Sequence, residues 1–118
     1  MIGTWHGLVI DTEDTNALAS FYQELLGFVR VQDDPDFLVI GDAPDRPGIA
    51  FQRVDRHVRP EWPDADHPAQ MHIDVRVQDI EEAERQALAL GATRLGFDAE
   101  HHRVYADPSG HPFCLAWW

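Results

Sequence analysis

Two side chains have types suited to chemistry: the imidazole of His72 and the thiol of Cys114. Imidazole exchanges protons near neutral pH. A thiol becomes a nucleophile only as thiolate, which needs a neighbouring cation or a helix N-terminus. His72 is therefore an activator of Cys114 only where the fold brings the two within hydrogen-bond reach. Gln52 has both a donor and an acceptor, suited to a carbonyl or an amide. Arg76, two residues beyond Asp74, either pairs with that carboxylate or reaches the rim of a site. Tyr105 and Trp118 are candidates to stack on a planar ligand, although Trp117 and Trp118 equally suit packing at a core or an interface. Trp5 is placed to cover one end of a cavity. His101 and His102 follow Glu100 in a turn, and with the loop histidines His57, His67 and His111 they read as solvated. No histidine pair has i, i+4 helical spacing, the Asp-rich turns lack a calcium-loop pattern, and no Gly-rich phosphate motif follows a strand.

The elements that must position these groups read clearly. Residues 6–11 form a short run rich in β-branched residues, a strand. Asp14 is a helix N-cap, followed by Leu18, Phe21, Tyr22, Leu25 and Leu26 at helical spacing and by Gly27 as a left-handed C-cap. Residues 28–32, 37–40 and 49–54 are further strands, separated by turns rich in Asp, Pro and Gly. The order then repeats. Residues 71–77 are a strand, Asp79 caps a helix with Glu82 completing a capping box, and Gly91 ends it. Strands follow at 93–97, 103–106 and 112–118, with Asp107-Pro108-Ser109-Gly110 as a turn.

Subtraction fixes the register of the repeat. Asp14 and Asp79 differ by 65, Gly27 and Gly91 by 64, and Asp42 and Asp107 by 65; after a shorter second turn, Gly48 and Gly110 differ by 62, as do Phe51 and Phe113. Matching caps and turns at a nearly constant offset mark an internal duplication. The reading is one domain over residues 1–118, with module one at 1–54, a Pro-containing crossover at 55–69 and module two at 70–118.

Alternation in the fifth strand separates its faces. Met71, Ile73, Val75 and Val77 should face a core under the helices, leaving His72, Asp74 and Arg76 on the opposite side. The last strand likewise places Cys114, Ala116 and Trp118 on one face and Phe113, Leu115 and Trp117 on the other. A face mixing His, Gln, Cys, Trp, Arg and Asp has the character of a small-molecule pocket.

Composition excludes several classes. The 118 residues carry 21 Asp/Glu against nine basic residues, all Arg, for a net charge of −12. Scattered Arg on an acidic chain argues against nucleic acid. No run approaches the ~18 apolar residues of a membrane span, and no secretory leader pattern opens the chain. A single cysteine excludes an internal disulfide framework. A cytoplasmic protein with no membrane partner is expected.

The tandem halves, the segments Asp14–Gly27 and His72–Asp79, and the ending Asp107-Pro-Ser-Gly-His-Pro-Phe-Cys-Leu115 resemble the glyoxalase/bleomycin-resistance/extradiol-dioxygenase (vicinal oxygen chelate) superfamily, closest to its small glyoxalase-like members. The resemblance implies an α+β fold whose tandem βαβββ modules form a curved, half-barrel mixed sheet with helices on the convex side, and a homodimer. It also implies a ring of metal ligands drawn from the first, fourth, fifth and eighth strands. In this chain those positions are Gly7, Gln52, His72 and Cys114, a set without a carboxylate. No metal and no cofactor are therefore expected.

The expected function is metal-independent binding of a small molecule, sequestering an aromatic or cationic natural product, with the acidity concentrating a cation. The expected ligand-binding residues are Trp5, Gln52, His72, Asp74, Arg76, Tyr105, Cys114 and Trp118. The alternative is a lyase, isomerase or thiol-dependent transferase using His72 and Cys114 as catalytic residues.

Overall fold

The computed structural model describes residues 1–2, 5–62, 64, 66–69 and 71–118, which fall into two compact units, Met1–His57 and Val58–Trp118. Each unit is a βαβββ module.

In the first unit the order is β1 (Leu8–Thr12), α1 (Thr15–Leu26), β2 (Val29–Asp34), β3 (Phe37–Gly41) and β4 (Ile49–Arg53). The sheet runs β1-β4-β3-β2, with β1 parallel to β4 and the other pairs antiparallel. Extended Asp14 caps α1 by accepting the Ala17 N–H at 3.0 Å. Gly27 ends the helix at φ 72°, a left-handed turn that glycine adopts without a Cβ penalty, and its N–H donates to the Gln23 carbonyl at 2.8 Å. The apolar stripe then lands on the sheet: Leu18, Ala19, Phe21 and Tyr22 are buried, and Tyr22 stacks on Phe51 at 5.7 Å.

In the second unit the order is β5 (Ile73–Arg76), α2 (Ile80–Ala89), β6 (Thr93–Ala99), β7 (His102–Ala106) and β8 (Pro112–Ala116), with sheet order β5-β8-β7-β6 and β5 parallel to β8. Asp79 caps α2 by accepting the Glu81 and Glu82 N–H groups at 3.1 and 3.2 Å. Glu82 does not complete the expected capping box. Its carboxylate takes Arg85 at 2.5 Å and Gln86 at 2.8 Å, hydrogen bonds that hold its pKa down at about 2. Only Ala87 of α2 is buried, so charge does much of the docking that apolar packing does for α1. Arg103 on β7 donates to Glu81 at 2.6 Å and Glu84 at 3.0 Å, and Arg94 on β6 pairs with Glu84 and Asp98.

Several expected boundaries move: β1 begins at Leu8, after His6 and Gly7, and β8 ends at Ala116, short of Trp117 and Trp118. The fifth strand begins at Ile73, and Met71 is 64% exposed rather than on the core side, because it precedes the ladder that opposes Ile73 to Phe113. The seventh strand begins one residue early, which takes His102 out of the turn and into the sheet. Gln70, the expected first residue of module two, lies outside the described residues. Among the described residues no helix is long and apolar enough to cross a membrane.

Candidate functional site

Register decides which side chains meet in the second unit. The parallel β5–β8 ladder sets Asp74 opposite Cys114, and the antiparallel β7–β8 ladder sets Cys114 opposite Val104. One residue along, Ile73, Phe113 and Tyr105 share a row on the other face. The row Arg76, Ala116, His102 continues the first face.

On that face His72, Asp74 and Cys114 converge, their ligand-type atoms all within 4.8 Å of one another. Asp74 is the hub. Its carboxylate lies 3.3 Å from His72 Nε2 and accepts the Cys114 thiol. Burial pushes the thiol up from 9.0 to about 11, and the adjacent Asp74 charge and hydrogen bond push the same way. His72 is thus directed to a carboxylate, and Cys114 is held protonated, the reverse of what an activated thiol needs. Arg76 turns away from Asp74 to lie over the Trp118 ring at 5.4 Å, and His102 approaches the same ring at 6.4 Å.

A cavity of about 570 Å³ opens over this face. The sheet supplies Val104, Pro112, Cys114 and His102, and Met71 and His72 stand just before β5. The crossover closes it with Trp62, Asp64, Pro68 and Ala69. Most of this wall is apolar, with a few polar groups directed inward, the usual build of a ligand pocket. Trp62, Asp64 and His102 were missed from sequence. The crossover has no periodicity, so only its tertiary course places Trp62 and Asp64. The period-2 alternation through Val104 was the available signal for His102.

The other expected site residues lie elsewhere. Tyr105 does not offer a stacking surface to the cavity. It is fully buried on the helix-facing side, stacked on Phe113 at 5.6 Å with its hydroxyl donating to Glu84 at 2.5 Å. The cause is alternation: Val104, not Tyr105, shares the Cys114 row. Burial and the Glu84 charge raise the Tyr105 pKa, and that hydrogen bond holds Glu84 below the usual carboxylate range. Trp5 is 81% exposed ahead of β1. Gln52 is exposed on the first unit's sheet, opposite Asp11 and Phe37. That unit has its own smaller cavity of about 200 Å³, walled by Val9, Val31, Phe37, Val39 and Ala50 among others.

The chelating ring that the superfamily resemblance implies does not fit these residues. At the first-strand corner a Cβ on Gly7 would stand 2.9 Å from the Gly48 carbonyl oxygen, so backbone blocks any ligand side chain there. Gln52 supplies only a neutral amide. His72, Asp74 and Cys114 are of types that bind zinc and their ligand atoms lie within 4.8 Å of one another, but Asp74 is not one of the ring positions that the resemblance implies.

Comparison with known proteins agrees with the fold. The sequence profile of the glyoxalase-like domain matches residues 7–116. Two βαβββ modules with this profile define a member of the vicinal oxygen chelate superfamily. Within it, the chain belongs to the glyoxalase-like domain family. No curated protein sequence matches it significantly. Among solved structures, a protein from Agrobacterium tumefaciens aligns with TM-score 0.74 and 19% identity, covering 99% of this chain and 98% of its own. The genomically encoded fosfomycin resistance protein FosX from Listeria monocytogenes aligns at 0.73 and 16%, covering 100% and 93%. A glyoxalase/bleomycin resistance protein/dioxygenase family enzyme from Burkholderia phytofirmans PsJN aligns at 0.71 and 17%, covering 95% and 96%. At these identities the likeness is one of fold.

Proposed function

We propose that this chain is a metal-independent small-molecule-binding protein that sequesters an aromatic or cationic compound in the second unit. The observation that carries this reading is the cavity of about 570 Å³ with an apolar, Trp62-bearing wall and the Asp64 carboxylate in its lining. The Asp74 carboxylate stands beside its His72 and Cys114. Aromatic surface suits a planar ligand, and carboxylates near it favour a positive charge. The net charge of −12 acts in the same direction at longer range. The likeness to a fosfomycin resistance protein supports a role in handling a toxic compound. The reading takes residues 1–118 as one cytoplasmic domain acting as a homodimer. Each four-stranded sheet ends in edge strands, which supports pairing with a second copy.

A second reading, a lyase or isomerase, has one specific support. The 3.3 Å contact to Asp74 orients the His72 imidazole at the cavity wall, as a positioned acid/base requires. A thiol-dependent transferase is disfavoured by the protonated Cys114. Titration with planar aromatic cations, with and without a chelator, tests the main reading. Binding should survive chelation and weaken roughly tenfold in Asp74→Asn, on the order of one lost partly exposed charge contact. A flat response to the whole panel, or binding abolished by the chelator, would defeat it.

A further inference from the structure

Trp62 lines two cavities. On one side lies the site of about 570 Å³; on the other, a second hollow of about 610 Å³ bounded by Arg59, Thr93, Leu95, Ala106 and Gly110. Asp64 is the other shared residue, so these two crossover side chains form the partition between the hollows. The indole is held in place. Phe97 meets it edge to face, with ring centroids 5.0 Å apart and planes at 84°. Phe97 has φ 59°, directly after Gly96 at φ 85°, where β6 twice slips register against β7. A left-handed aromatic residue is strained, and bulges re-aim side chains. Here the bulged backbone turns a 58% exposed phenyl ring onto Trp62 instead of leaving it free. The loop is also tied at its base: the Glu61 N–H donates to the His67 carbonyl at 2.7 Å, and Arg59 Nη1 donates to the Pro108 carbonyl at 2.9 Å.

We infer that Trp62, braced by Phe97, is the specificity-determining residue of the site: it stacks on the ligand and limits it to a compact planar cation by walling off the second hollow. The inference rests on the binding reading above. Removing the indole joins the hollows, so the same site should then admit a bulkier ligand and hold a compact one less well.

The test compares proflavine, a compact planar cation, with the larger rhodamine 6G, by fluorescence titration of wild type, Trp62→Ala, Trp62→Phe and Phe97→Ala. Wild type should prefer proflavine. Trp62→Ala should weaken proflavine roughly tenfold, as expected for loss of one stacking partner, and reverse the preference. Trp62→Phe should keep the wild-type order, and Phe97→Ala should shift it partway. A ligand-free measurement stands beside this one. Cys114 is the only thiol in the chain and lines the first cavity, so its labelling reports access. The rate with pyrene maleimide relative to N-ethylmaleimide should rise in Trp62→Ala, because the bulkier reagent gains the joined space. A dye preference or a reagent ratio left at its wild-type value in Trp62→Ala overturns the partition. Wild type that binds neither dye refutes the binding reading instead, while a raised reagent ratio would still uphold the partition.

Discussion

Replacing Asp74 by Asn tests the electrostatics of the site directly. The thiol of Cys114 sits at about 11 against an ordinary 9.0, with burial as the first cause and Asp74 supplying the charge and the hydrogen bond that follow. Asn removes the charge and leaves the burial, so part of the displacement should disappear and the midpoint should fall. At fixed pH below the midpoint, thiolate rises about tenfold for each unit of that fall. The assay is the pH dependence of iodoacetamide alkylation, read by intact mass, with one thiol to count. The same displacement predicts a stability profile. A folded-state pKa above the unfolded one stabilises fully below about pH 9, and this contribution is lost as pH rises towards the folded value near 11. Two units correspond to at most ~3 kcal/mol, and urea melts between about pH 8 and 10.5 should show part of it. Cys114→Ala should flatten that slope. A wild-type alkylation midpoint at or below the ordinary 9.0, or one that does not move in Asp74→Asn, would refute the reasoning.

Two further outcomes follow from packing. Tyr105→Phe removes the hydroxyl that donates to Glu84 at 2.5 Å and should cost about 1 kcal/mol in urea denaturation. Because that hydrogen bond is the first cause of the lowered Glu84 pKa, the wild type loses stability as pH falls through it, and the variant should lose less. Gly7→Ala forces a Cβ to 2.9 Å from the Gly48 oxygen and should cost roughly 1–3 kcal/mol, seen as a lower Tm. Gly7→His should destabilise similarly and create no nickel affinity on isothermal titration; tight nickel binding there would contradict the blocked corner.

The elements were readable because their signals are local. Asp14, Gly27 and Asp79 mark helix ends through short-range chemistry, and the offset near 65 between copies carried the order of one module onto the other. Asp74 beside Cys114 was less accessible. Both residues were visible, but their meeting is a property of the parallel β5–β8 register, which couples positions 40 residues apart (114 less 74). Tyr105 was misplaced although alternation through Val104 contained the answer. Met71 and His102 erred at strand ends, where a shift of one or two residues decides whether a side chain joins the ladder. Trp62 and Asp64 lay beyond local reading, since the bonds from Glu61 to His67 and from Arg59 to Pro108 depend on the loop's closure, not on any repeat in its residues.

The two copies hold their helices by different means. The first seats Leu18, Phe21 and Tyr22 in hydrocarbon, while the second buries Ala87 alone and leans on Arg103, Glu81 and Glu84. Ions in solution screen the second kind of anchorage and leave the first almost untouched. Brine should therefore loosen the half that carries the cavities of about 570 and 610 Å³, and amide exchange in α2 should quicken with ionic strength while α1 stays slow. Duplication has left one helix anchored by hydrocarbon and one anchored by charge, and the binding proposed above falls to the copy that holds the second.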